Sequence, residues 1–98
     1  MTEAEYQRFV VRRLEREFPG CVVIINDPSR TQGIPDLLIL FGSTWAALEV
    51  KKSATARIQP NQTYYVEAFD EMSYSAFIYP ENEERVFNEL QFALHNRR

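Results

Sequence analysis

The sequence predicts an α/β domain whose helices and strands follow the order αβββαβα. Three observations predict this class. Apolar residues recur at helical spacing near both ends of the chain, short apolar runs rich in β-branched residues lie between them, and Pro and Gly residues separate the segments. The predicted elements are a helix at 2–18, strands at 21–25, 36–41 and 45–51, a helix at 60–71, a strand at 74–79 and a helix at 83–96.

The N-terminal part of the chain predicts a helix followed by a buried strand. Pro19-Gly20 ends the helix, and the run 21–25 behind it is short, apolar and β-branched. Such a run is typical of a strand buried on both faces, and the polar residues 26–33 that follow predict a loop. The apolar positions of the helix are Tyr6, Phe9, Val10, Leu14 and Phe18.

The remaining elements are indicated by turn residues and prolines. The turn signal Gly42-Ser43-Thr44 lies between two apolar runs, so we expect the second and third strands to form a hairpin. Pro60 suits the first turn of a helix, and Pro80 ends the fourth strand. The inward positions of the last helix are Phe87, Leu90 and Leu94.

The composition excludes several kinds of site. With 98 residues the chain has room for one domain, covering residues 1–98, and 45% hydrophobic with 26% charged residues is an ordinary globular balance. The single Cys and the single His exclude an internal disulfide, a cysteine-built zinc site and a multi-histidine metal site. None of the glycine spacings of a phosphate-binding loop is present. No run predicts a membrane span or a signal peptide, so we expect a cytoplasmic protein without a membrane partner.

The charge is distributed unevenly. The net charge of −3 argues mildly against nucleic acid as a partner. However, residues 1–60 carry eight basic and seven acidic side chains, whereas residues 61–98 carry three and seven. The basic charge therefore lies in the half of the chain that holds the candidate chemistry.

Two segments combine the residues that carry this chemistry, Pro35-Asp36 and Glu49-Val50-Lys51. Side chains alternate along a strand, so Glu49 and Lys51 project from one face while the apolar residues beside them project from the other. If the hairpin loop runs over 42–45, Phe41 pairs with Ala46. Asp36 then lies opposite Lys51 and diagonal to Glu49, with roughly 7–8 Å between the backbones.

Two carboxylates and a lysine on adjacent strands suit metal-dependent phosphodiester hydrolysis. Carboxylate oxygens are the ligands that Mg²⁺ or Mn²⁺ prefers, and such a cation polarises a phosphodiester and lowers the pKa of a bound water. A neighbouring lysine can orient that water or stabilise developing charge. Taken singly, an Asp before a strand is usually a turn residue and a Glu-x-Lys strand is usually a solvated face. A catalytically idle module that only binds DNA or a protein is the alternative function.

On these residues the sequence resembles the PD-(D/E)xK nuclease superfamily and, within it, the VRR-NUC domain. Pro35-Asp36 and Glu49-Val50-Lys51 match the superfamily motif, and Val11-Arg12-Arg13 matches the triplet that names the domain. The resemblance spans roughly residues 3–80. It implies a restriction-endonuclease-like αβββαβ core with a mixed four-stranded sheet flanked by helices, followed here by a C-terminal helix.

The resemblance also implies an activity and roles for individual residues. It implies a Mg²⁺- or Mn²⁺-dependent endonuclease of the minimal stand-alone type found in phages and bacteria, acting in the bacterial cytoplasm as a homodimer, with DNA, including branched DNA such as four-way junctions, as substrate. Asp36, Glu49 and the carbonyl of Val50 would bind the metal, and Lys51 would serve the attacking water. Glu5 and Gln62 match two further family positions, for which Glu3 and Gln59 are rivals. The sequence does not decide between DNA and RNA.

Several polar side chains are candidates for contacting nucleic acid. On the first helix they recur every four residues and form one basic stripe, for which a solvated helix face is the alternative interpretation. Others flank the candidate acidic residues on either side. The candidates are Arg8, Arg12, Arg16, Arg30, Gln32, Lys52 and Arg57. Phe92 lies off the inward face of the last helix and is interpreted as part of a self-association surface.

Overall fold

A computed structural model of the chain describes residues 1–27 and 29–95. The order of the elements confirms the prediction, with one added turn of 3₁₀ helix before the last helix. The predicted end of that helix at Asn96 lies outside the described residues. The elements are α1 (Glu3–Glu17), β1 (Val22–Ile25), β2 (Leu37–Phe41), β3 (Thr44–Val50), α2 (Pro60–Met72), β4 (Tyr74–Ile78), a 3₁₀ turn (Pro80–Asn82) and α3 (Glu83–His95).

The four strands form one mixed sheet in the order β1-β2-β3-β4. β1 pairs with β2 and β2 with β3 in antiparallel fashion, whereas β3 and β4 are parallel. Parallel neighbours need a crossover connection, and α2 supplies it. None of the helices in the described part of the chain is long and apolar enough to cross a membrane.

The two faces of the sheet have different roles. On one face, alternate residues of β2, β3 and β4 join side chains of α1 and α3 in the hydrophobic core. The opposite face of β3 and β4 is covered by α2, whose Gln62 reaches Glu49 and Lys51. The core residues from the strands are Leu37, Ile39, Ala46, Leu48, Val50 and Ile78. Strand alternation therefore brings the polar side chains of β3 to the face that α2 covers.

Arg13 fastens α1 to α3 at the edge of this core. Its guanidinium donates to Glu17 on its own helix and to Glu83 and Glu84 at the start of α3. It also lies 4.0 Å above the ring of Phe87. One planar cation thus links two helices through several directed contacts, which a lysine could not reproduce.

The predicted hairpin register needs a correction of two residues. The loop between β2 and β3 is only Gly42-Ser43, so Phe41 pairs with Thr44 and not with Ala46. Gly42 has a φ of 59°, a left-handed conformation that allows so short a turn. A shift of two residues preserves the face of every side chain, because alternation has a period of two. Continuing the pairing one residue beyond β2 puts Asp36 opposite Glu49 and not opposite Lys51.

The prediction that the first strand is buried on both faces is wrong. β1 lies at the edge of the sheet, and Val22, Ile24 and Ile25 are 54%, 40% and 60% exposed. An edge strand has a neighbour on one side only, and α2 does not extend over this part of the sheet. A purely apolar run predicts a strand but not its place in the sheet order.

Candidate active site

Asp36 is held against β3 by contacts with the backbone. It follows the buried Pro35, and its carbonyl oxygen accepts a hydrogen bond from the Asn26 N–H at 2.8 Å. The Asn26 amide also donates to the Pro35 carbonyl at 2.7 Å, which ties the two ends of the loop together. The Asp36 Oδ2 atom accepts from the Val50 N–H at 3.0 Å. One carboxylate oxygen of Asp36 is therefore fixed at the end of β3, at the residue that follows Glu49 in the sequence.

Glu49 is a buried carboxylate with one oxygen engaged and one free of protein partners. The residue is 2% exposed, and its Oε2 atom accepts from the Gln62 amide nitrogen at 3.0 Å. Its Oε1 atom is buried and has no hydrogen-bond partner among the described residues. Burying a charged carboxylate oxygen without a partner is costly, so this group keeps its proton unless a cation that the protein itself does not supply is bound beside it.

Lys51 and Glu49 are joined through one amide, that of Gln62. The Lys51 Nζ atom donates to Gln62 Oε1 at 2.9 Å and lies 4.0 Å from Glu49 Oε2. Gln62 Oε1 also accepts from the backbone N–H of Gln59, at 2.9 Å, which holds the amide in the first turn of α2. Because an amide has a donor and an acceptor end, Gln62 contacts the carboxylate and the ammonium at once.

The electrostatics show that the pair of carboxylates lacks positive charge. Burial, together with the nearby charge of Asp36, raises the pKa of Glu49 from its ordinary 4.5 to about 8, although Lys51 opposes this shift. Burial also raises the pKa of Asp36, against the hydrogen bond from Val50 that lowers it. Two neighbouring carboxylates that both resist ionisation form an environment that favours a bound cation.

The rival residues at two positions have different surroundings in the structure. Glu3, at the start of α1, lies near enough for its charge to raise the pKa values of Asp36 and Glu49. Glu5 instead accepts a hydrogen bond from the Thr2 N–H at 2.7 Å and caps its own helix. The charge of Glu3 thus acts on the carboxylate pair, whereas Glu5 is engaged in the cap of its own helix. At the other position the geometry brings Gln62 to the pair, while Gln59 is the exposed N-cap residue of α2.

The candidate side chains for contacting nucleic acid are all exposed. The arginines of the stripe on α1 form no ion pair within the described part of the chain, in contrast to the neighbouring Arg13. The others lie in the β1–β2 loop or in the segment that follows β3. The set is Arg8, Arg12, Arg16, Arg30, Gln32, Lys52 and Arg57.

The donor set fits a hard divalent cation such as Mg²⁺ or Mn²⁺. Among residues 1–27 and 29–95, no cluster of three or more His, Cys, Asp or Glu side chains is arranged to hold a metal. Mg²⁺, however, is commonly bound by one or two carboxylates together with several waters. Asp36 and Glu49 supply that pair, and the buried Oε1 atom of Glu49 lacks a protein partner.

Two supporting contacts are not evident from the sequence. Asn26 fixes the position of Asp36 from ten residues away, and a lone Asn in a polar loop gives no signal of this role. Val50 was assigned to the site for its carbonyl, yet the contact that the structure shows is made by its N–H. Both interactions use the backbone geometry of neighbouring strands.

Among solved structures, the chain is similar to the Holliday junction resolvase Hjc from the hyperthermophilic archaeon Archaeoglobus fulgidus. The TM-score is 0.54 at 19% sequence identity, over 78% of this chain and 67% of that chain. At this identity the likeness is one of fold. No family model matches the chain, and no curated protein matches it. The predicted restriction-endonuclease-like α/β fold, with its mixed four-stranded sheet flanked by helices, is confirmed.

Proposed function

We propose that this chain is a metal-dependent endonuclease that hydrolyses phosphodiester bonds in DNA, with branched DNA as a substrate. The observation that carries the proposal is the buried group on one face of the sheet. Asp36, Glu49 and Lys51 lie together there, and Gln62 joins the last two. The similarity in fold to a Holliday junction resolvase supports both the nuclease activity and the preference for junctions.

Each residue of this group has a distinct task in the proposed reaction. Asp36 and Glu49 hold Mg²⁺ or Mn²⁺, with the carbonyl of Val50 as a further ligand by resemblance. When bound, the cation polarises the phosphodiester and makes a water molecule more acidic. Lys51 orients the attacking water and stabilises negative charge as it develops.

The supporting residues keep this group in place. The Gln62 amide donates a hydrogen bond to the Oε2 atom of Glu49. The Oε1 atom of Glu49 makes no hydrogen bond to the described residues and is left for a cation. The oxygen of the same amide accepts a hydrogen bond from the Lys51 ammonium, which it holds 4.0 Å from Glu49 Oε2. The negative charge of Glu3 also acts on the pair and so increases the attraction for a cation.

The proposal includes a homodimer and a family. A four-way junction is resolved by cutting two strands, so a second active site is needed. Phe92, 73% exposed on α3, provides apolar surface for association. Sedimentation of the wild type and of Phe92→Ser tests this arrangement.

Membership of the VRR-NUC domain, with a phage or bacterial origin, remains a prediction from the motifs.

The test is cleavage of plasmid DNA and of a synthetic four-way junction in Mg²⁺, in Mn²⁺ and in EDTA. We expect cleavage with either metal and none in EDTA. Asp36→Asn and Glu49→Gln should reduce the rate at least about a hundredfold, which exceeds the usual effect of removing a residue that only supports a ligand. Glu67→Gln is the control, because Glu67 is exposed on α2 and makes no side-chain hydrogen bond or ion pair among the described residues.

Three results would contradict the proposal. Cleavage that persists in EDTA, or in Asp36→Asn, would exclude the mechanism. Binding of the junction without turnover in any divalent metal would favour the idle module. Parallel assays on RNA of the same sequence decide which sugar the enzyme accepts.

A further inference from the structure

An open groove lies directly beside the candidate active site, between the β1–β2 loop and the start of α2. Gln62 belongs to both features, because its amide contacts Glu49 and Lys51 while the residue also lines the groove. A DNA strand whose phosphate lies at the carboxylate pair would therefore have its neighbouring nucleotide at this groove. The described residues that line it are Ser29, Gln32, Gly33, Gln59, Asn61 and Gln62.

The β1–β2 loop and the start of α2, which form the two sides of the groove, pack closely against each other. Gly33 has a φ of +89°, and a Cβ atom there would lie 2.7 Å from Asn61 Cγ and 2.8 Å from the Asn61 carbonyl carbon. The loop backbone thus rests directly on the first turn of α2. At its far end the loop is held by the two hydrogen bonds of Asn26. The backbone that carries the side chains lining the groove is therefore held in place by packing at one end of the loop and by hydrogen bonds at the other.

The chemistry of the lining differs from that of a phosphate site. None of the described residues lining the groove is charged, and apart from Gly33 each carries an amide or a hydroxyl group. Ser, Asn and Gln side chains also contact phosphates, but the Lys and Arg side chains that usually accompany them lie outside this groove. Asn and Gln side chains instead offer a donor and an acceptor together, the pattern that matches the N6 and N7 atoms of adenine.

We propose that this amide-lined groove binds the edge of a nucleobase next to the bond that is cut, and so gives the enzyme a base preference at that position. The inference rests on the proposed nuclease function and adds a specificity site to it. Gln32 and Asn61 are the specificity-determining side chains, since neither belongs to the carboxylate–lysine group. Adenine is the base that their amides fit best.

The test uses a pool of four-way junctions with randomised bases around the branch point, together with plasmid DNA, and sequences the cut ends. For the wild type we expect adenine to be enriched about fivefold or more at one fixed offset from the cut, as one amide–base pair would give. Asn61→Ala should flatten this enrichment while cleavage continues, and Gln32→Ala should flatten it among the products that are still cut. Asn88→Ala, at an exposed position on α3, is the matched control and should retain it.

The outcomes separate this inference from the function on which it rests. Cleavage by the wild type without any base bias, or a bias that both groove variants retain, would overturn the groove as a base-binding site and leave the nuclease intact. A wild-type protein that cuts neither substrate in any divalent metal would overturn the nuclease function and this inference with it.

Discussion

Glu49 is a carboxylate that is 2% exposed and lies beside a second carboxylate, so ionising it is unfavourable without a cation. Lys51 compensates only in part, at 4.0 Å and through the intervening amide of Gln62. A fully neutralised ion pair would leave no need for a further charge. At the level of single residues, this burial and the shortage of positive charge support the proposed binding of a cation at the two carboxylates.

The stability of the metal-free protein should fall between pH 5.5 and 8. The pKa of Glu49 is raised from 4.5 to about 8 in the folded state, so its contribution is complete below pH 4.5 and is lost as the pH rises towards 8. The loss is at most about 5 kcal/mol at the upper end. Carboxyls with a lowered pKa, such as Glu84 and Glu89, act below this window. Urea unfolding in EDTA at several pH values measures the effect.

Glu49→Gln is the matched variant for this measurement, since it keeps the shape of the side chain and removes the titration. We expect its stability to change much less over the same pH range. Adding Mg²⁺ at pH 8 should raise the unfolding midpoint of the wild type but not that of the variant. A wild type whose stability is flat from pH 5.5 to 8 would show that the folded protein does not raise the pKa of Glu49 in the way that its burial indicates.

Gln62→Leu should impair catalysis more than folding. The substitution keeps the size of the side chain but leaves Lys51 Nζ and Glu49 Oε2 without their amide partner. We expect kcat to fall about 10–100-fold and the Mg²⁺ concentration for half-maximal rate to rise, as for other residues that support a metal ligand. Gln91→Leu on α3 is the control, because Gln91 is also partly exposed and makes no side-chain hydrogen bond within the described residues. Equal rates for the two variants would contradict the positioning role.

At the level of elements, the β1–β2 loop and α2 are joined by a backbone contact that only glycine allows. Gly20 and Gly33 share a φ of +89°, but a Cβ at Gly20 meets nothing within 4 Å, whereas one at Gly33 meets Asn61. Gly20→Ala should therefore cost about 1–2 kcal/mol for the left-handed conformation alone. Gly33→Ala should cost about 1–3 kcal/mol more, because the loop and helix must separate. Urea midpoints measure both, and equal losses would show that the loop does not rest on α2.

How far the elements could be predicted from the sequence depends on the range of the interactions involved. The face of Asp36 was correctly predicted because alternation along a strand is local and tolerates a two-residue shift in register. The shift itself arises because the turn contains only Gly42-Ser43, whereas the turn residues in the sequence predict a loop over 42–45. The exposure of β1 could not be predicted, because an apolar run has the same sequence pattern in an edge strand as in a central strand.

The site shows the same division between local and distant causes. Thr2 and Glu5 form a capping box, a local pattern that accounts for Glu5 without any role in the site. That the charge of Glu3 acts on the carboxylates depends on how the whole helix packs over the sheet. The bridge from Gln62 to Lys51 and Glu49 likewise joins residues more than ten positions apart. Residue types thus predict a chemistry, while the contacts that each candidate makes depend on the fold.

At the level of the whole molecule, the net charge of −3 must be reconciled with a polyanionic substrate. The overall field repels DNA at long range, so affinity has to come from local groups of exposed arginine and lysine. The stripe of Arg8, Arg12 and Arg16 is such a group, since its members are exposed on one side of α1 and form no ion pair in the described part of the chain. Binding that depends on such contacts should weaken steeply as salt increases.

The salt dependence of binding therefore tests the stripe. In EDTA, where no bond is cut, the logarithm of the affinity for a four-way junction should fall linearly with the logarithm of the salt concentration. Arg12→Ala should reduce that slope by about one, because each phosphate contact releases roughly one counterion. Arg85→Ala removes the same charge on α3, where Arg85 pairs with Glu89 at 3.0 Å, and should leave the slope unchanged. Fluorescence anisotropy measures both. Identical slopes for Arg12→Ala and the wild type would mean that the α1 stripe is only a solvated helix face and that DNA lies elsewhere on the molecule.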